Sequence, residues 1–110
     1  MDLSEVLEPV VLNDYDDVHF NVQTVSSYDD SLLVSADAFL IGYSEDRNSN
    51  NVGVSAGTNA IRRSLYRLFQ TSKPMMIIDV GNCVKGASVD DSYKNLEFCV
   101  NHLALYGKPI

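Results

Sequence analysis

Residues 38–68 read AFLIGYSEDRNSNNVGVSAGTNAIRRSLYRL. A short apolar run over 38–43 ends in a polar loop, which passes Gly53 and Gly57 and enters an amphipathic helix opening near Thr58. Strand, loop and helix in that order begin a βαβ unit. The run has no alternating polar positions, which predicts a central parallel strand covered by helices on each side. Ile61, Leu65, Leu68 and Phe69 fall at i, i+4, i+7 and i+8, one face of a helix, with Arg62, Arg63 and Arg67 off that stripe. Thr58 is the expected N-cap. In open α/β sheets ligands gather at the carboxyl ends of the strands, so the loop over 44–57 lies on the face where one would bind.

Downstream, Lys73-Pro74 breaks the helical pattern and leads into a second strand over 75–80, closed by Gly81-Asn82. A second helix follows over roughly 90–106, with Asp90 or Asp91 at its cap and Leu96, Val100 and Leu103 as its buried stripe. Gly107 suits the C′ position and Pro109 the stop beyond it, with a third strand expected to begin in 107–110. Right-handed crossovers then give the fold class as α/β, a partial αβα sandwich with a parallel sheet, of which residues 38–110 hold the first two βα units. Two such strands leave a sheet edge exposed, so self-association into a homo-oligomer is expected.

Upstream, residues 1–37 form an acidic arm. Residues 1–17 are expected on the surface, with one helical turn over 3–7. Val18, Phe20 and Val22 alternate with polar neighbours, which suits an edge strand. Tyr28-Asp29-Asp30-Ser31 fits a turn or a helix start, and Leu32-Leu33-Val34 is too short to classify.

Composition excludes several functions. The chain's 110 residues are 45% hydrophobic and carry a net charge of −7, so it is globular and offers no electrostatic footprint for nucleic acid or an anionic membrane. Its apolar runs fall short of the ~20 residues that a membrane helix needs. The opening MDLSEVLEPVVL is acidic where a signal peptide is basic, and a cytoplasmic location is expected. Cys83 and Cys99 are then free thiols, with no CxxC pair and no zinc spacing around them. No phosphate-loop motif is present.

A wider pattern joins these segments. Ile41-Gly42 with Asp46, Gly53, the run from Ala56 to Leu68, Ile78-Asp79-Val80-Gly81-Asn82, Asp91-Ser92-Tyr93-Lys94-Asn95-Leu96, and Gly107-Lys108-Pro109-Ile110 follow one another in order. Together they resemble the amino-terminal part of the arginase superfamily, the ureohydrolases, over residues 36–110. The acidic leader resembles the formimidoylglutamase-like branch.

The resemblance implies a parallel-sheet αβα fold and hydrolysis of guanidino or formimino C–N bonds in a small polar substrate. It implies two bridged Mn²⁺ ions in the full-length protein, which turn water into hydroxide. The family's metal ligands lie in Gly-Gly-Asp-His, Asp-Ala-His-x-Asp and Asp-x-Asp segments. None of these occurs here, and the first is expected just past Ile110. No metal ligand carries over, and this chain alone is expected to bind no cofactor and to be inactive. The family's helix-opening proline is replaced by Thr58, and the loop is rich in asparagine.

Asp46, Arg47, Asn48, Asn50 and Asn51 are the substrate-binding candidates, against the plainer reading of a solvated loop. Arg47 leads them because a guanidinium can hold a substrate carboxylate bidentately. Arg62 is expected to form a structural ion pair with a nearby carboxylate, and Asp79 to be architectural with the Gly81-Asn82 turn. Cys83 lacks a positioned base, and a buried thiol is the better reading. His102, off its helix's stripe, belongs to the surface. No catalytic residue is assigned. The alternative function is a stand-alone interaction or oligomerisation module recruited through the exposed edge strand.

Overall fold

Every strand among the described residues pairs with one segment, Ile77–Cys83. The computed structural model describes residues 2–11, 22–47, 57–67 and 75–110. Within them the order is α1 (Leu3–Val6), β1 (Leu7–Glu8), β2 (Val22–Thr24), α2 (Asp30–Val34), β3 (Ala38–Gly42), α3 (Gly57–Tyr66), β4 (Ile77–Cys83) and α4 (Val89–Ala104). β3 runs parallel to β4, from Ala38 opposite Ile77 to Gly42 opposite Asn82. On the other side of β4, β2 is parallel over Ile77 to Asp79, and β1 is antiparallel at Asn82 and Cys83. The described residues thus form an α/β domain with a mixed four-stranded sheet, not the wholly parallel one expected, because β1 joins antiparallel.

Alternation along β4 places the helices. Ile78 and Val80 are fully buried and share one core with Cys99 and Leu103 of α4. Asp79, between them, points to the opposite face and meets Arg62 and Tyr66 of α3. α3 and α4 therefore pack on opposite faces of the sheet. A bulge then changes the phase: Leu40 stands opposite Asp79 but Ile41 opposite Gly81, leaving Val80 as the extra residue. Beyond it Asn82 faces α3 and Cys83 faces α4. Gly81 has φ +96°, and a Cβ there would lie 1.9 Å from the Glu8 carbonyl oxygen, so only glycine admits both the bulge and β1.

Several expectations are corrected. The central strand is β4, and β3 flanks it. β4 does not end at Val80 but runs through Gly81-Asn82 to Cys83, because β1 supplies partners there. The first residues are not a surface arm: Leu3, Val6 and Leu7 are buried, closing the core over Cys99. The expected turn at residues 3–7 is present as α1, capped by the Asp2 carboxylate accepting from the Ser4 N–H at 2.9 Å. Asp30 begins α2, whose Leu33 is fully buried. Residues 12–21, with Val18, His19 and Phe20, lie outside the described residues, and the strand found nearby is β2.

The helices differ in detail. α4 is capped by Ser88, whose hydroxyl accepts from Asp91 N–H, leaving Asp90 and Asp91 in the first turn at the positive end of the helix. Among the described residues α3 spans Gly57–Tyr66, with Thr58 in its first turn. The described part of its apolar stripe, Ile61 and Leu65, does not face the core. Ile61 is 60% exposed, whereas Arg62 and Tyr66 are 2% exposed each. The buried ion pair takes the core-facing positions and turns Ile61 and Leu65 toward the outer edge of β3. There they line a groove of about 90 Å³ with Leu40 and Gly42. Against that outer edge lies the end of the chain, where the Phe39 N–H donates to the Pro109 carbonyl at 2.9 Å. Among the described residues no helix is long and apolar enough to cross a membrane.

Candidate functional site

The carboxyl ends of β3 and β4 lie side by side, and two polar clusters occupy them. The inner one is built on Asp79, which is fully buried. Its carboxylate accepts from Arg62 Nε at 2.7 Å and Nη2 at 3.0 Å, a bidentate pair. The Gly81 N–H at 2.9 Å and the Tyr66 hydroxyl complete its shell. The same guanidinium donates to the Gly81 carbonyl at 3.0 Å and, through Nη1, to the Asn82 amide oxygen. Burying an ion pair is worthwhile only when such added bonds satisfy the remaining donors and acceptors, which holds here.

Gly42 makes the inner cluster possible. A Cβ at that position would lie 1.8 Å from Asn82 Oδ1 and 2.8 Å from Arg62 Nη2. β3 therefore approaches the network with bare backbone, and its end is held against α3 and β4 at once.

The outer cluster ties the loop after β3 to the loop after β4. Arg47 donates through Nε to both Glu45 carboxylate oxygens, at 2.8 and 2.9 Å. Its Nη1 reaches the Ala87 carbonyl at 3.1 Å, and its Nη2 reaches the Gly86 and Ser88 carbonyls at 2.8 and 3.2 Å and Ser92 Oγ at 3.0 Å. Ser92 Oγ in turn donates to Glu45 at 2.8 Å and accepts from the Gly86 N–H at 2.8 Å. Hydrogen bonds from Arg47 hold the Glu45 carboxyl well below its ordinary value, at about 2. The same partnership raises Arg47. Asp46 is buried, with Lys85 Nζ 3.7 Å from its carboxylate.

Arg47 and Asp46, the described members of the predicted site, thus sit together on the carboxyl face. Asn48, Asn50 and Asn51 lie outside the described residues. The Arg47 fork is engaged by protein carbonyls and Glu45. Arg62 makes the structural ion pair expected of it, and Asp79 is the partner. Glu45, Tyr66 and Ser92 escaped the sequence reading. Glu45 looks like any solvated loop acid, Tyr66 like a helix aromatic, and Ser92 like a first-turn serine, and only the fold brings them to these partners.

Among the described residues no group of three or more His, Cys, Asp or Glu side chains is placed to hold a metal ion. Glu45, Asp46 and Asp79 each face a cation of the protein itself. This donor set does not fit a bridged manganese pair. The chain matches no protein-family model, and no curated protein or solved structure is significantly similar to it.

Proposed function

We propose that this chain is the amino-terminal scaffold of an α/β C–N hydrolase of the ureohydrolase type, forming one wall of the cleft for a small guanidino or formimino substrate and supplying no metal ligand. One observation carries the reading. Gly42, Arg62, Asp79, Gly81 and Asn82 come from three separated segments of the resemblance, and all meet in one buried network. A single hydrogen bond, from the Phe39 N–H to the Pro109 carbonyl, sets the 107–110 segment beside β3, although the strand expected there does not form.

In this reading the inner cluster fixes the two strand ends and the outer cluster fixes the loops above them. The loop bearing Asp46, Arg47, Asn48, Asn50 and Asn51 is the substrate wall. Arg47 serves it by shaping the loop, since its own donors are engaged. The two Mn²⁺ ions, and the hydroxide chemistry they supply, belong to the full-length protein.

The test is Mn²⁺-dependent release of formamide or urea from formiminoglutamate, arginine and agmatine. The 110-residue chain is expected to release neither, and the protein expressed from the complete reading frame is expected to release one of them. Turnover by the chain alone, or none from the complete frame, contradicts the proposal.

The apolar groove that Ile61 and Leu65 line with Leu40 favours a second reading, a stand-alone interaction module that self-associates. Sedimentation showing a monomer across a wide concentration range would count against it.

A further inference from the structure

Cys83 and Cys99 are both buried, and their sulfurs lie 3.7 Å apart in a shared hydrogen bond. They join two elements. Cys83 is the last residue of β4, and Cys99 lies in α4 one turn before Leu103. The bulge at Val80-Gly81 turns Cys83 to the α4 face. The intervening segment includes the carbonyls of Gly86, Ala87 and Ser88 that hold Arg47.

We propose that Cys83 and Cys99 form a reversible dithiol–disulfide pair, closed by a peroxide, that locks the 84–88 loop between β4 and α4. Sulfurs already in contact need to approach by only ~1.7 Å to reach a disulfide length. The sulfurs are not equivalent. Cys83 retains 5% exposure and Cys99 none, so Cys83 meets the oxidant first. Cys83 donates to Cys99 and Cys99 to the Val6 carbonyl at 3.9 Å, and the pairing of the two sulfurs lowers Cys83 and raises Cys99.

The chemistry balances. The Cys83 thiolate attacks one peroxide oxygen, the S–O bond forms, the O–O bond breaks, and the hydroxide released takes up a proton as water. The Cys99 sulfur then attacks Cys83, giving up its proton. The S–S bond forms, the S–O bond breaks, and a second water leaves. Each thiol is oxidised by one electron, and the peroxide takes both. A thiol reductant reverses the step.

The experiment treats the reduced protein with hydrogen peroxide, then denatures and alkylates it and maps its peptides. The expected result is loss of both alkylatable thiols, a Cys83–Cys99 cross-link within one chain, and recovery of both thiols with dithiothreitol. Two thiols still free, cross-links only between chains, or irreversible sulfinic acid at Cys83 would overturn the proposal. The variant Cys99→Ser should stop at a Cys83 sulfenic acid that dimedone traps, whereas Cys83→Ser should give no adduct. Adduct formation at Cys99 in the second variant would contradict the assigned order. The wild-type result stands without either variant.

Discussion

Asp79 accepts four hydrogen bonds in a place with no solvent, and Arg62 supplies two of them. Removing either partner strands the other as an uncompensated buried charge. Arg62→Ala or Asp79→Ala should therefore cost about 3–5 kcal/mol, read by urea denaturation. Tyr66→Phe removes one donor and leaves the ion pair, and should cost only ~1 kcal/mol. Gly42→Ala drives a methyl into Asn82 and the guanidinium, and a loss of ~1–3 kcal/mol is expected without any change in charge. Arg62 was legible as a structural ion-pair residue, an arginine off the apolar stripe of its helix. Which carboxylate it meets was not legible, since that depends on the phase of β4.

The loops after β3 and β4 are held by Glu45, Arg47 and Ser92, and their stability is tied to pH. Glu45 is held at about 2 against an ordinary value of 4.5. A depressed carboxyl contributes fully above its unfolded value and loses that contribution as pH falls toward its folded one. Thermal midpoints should thus drop between pH 4.5 and about 2, and Glu45→Gln should flatten that part of the profile. A variant as acid-sensitive as the parent would refute the assignment. The strand–helix order over 38–106 was readable because short apolar runs over 38–43 and 75–80 alternate there with helical periods. The face of α3 was not. Its apolar stripe, Ile61 and Leu65, points to the β3 edge because a bidentate ion pair outcompetes leucine for the position above Asp79.

Across the molecule, the N-terminal residues behave as core. Leu3, Val6 and Leu7 pack with Cys83, Cys99 and Leu103, and the Val84 N–H donates to the Val6 carbonyl at 2.9 Å. Their acidic neighbours disguised this, because three apolar residues in a charged leader resemble an unattached arm. Leu7→Ala should destabilise the whole domain by ~2–5 kcal/mol, detectable as a shifted denaturation midpoint with an unchanged slope. The network from Gly42 to Asn82 then acts as one unit that fixes both strand ends and the face above them. A double-mutant cycle with Arg62→Met and Asp79→Asn tests that claim most directly. A coupling of at least ~1.5 kcal/mol is predicted, and effects that simply add to within ~0.5 kcal/mol would contradict it.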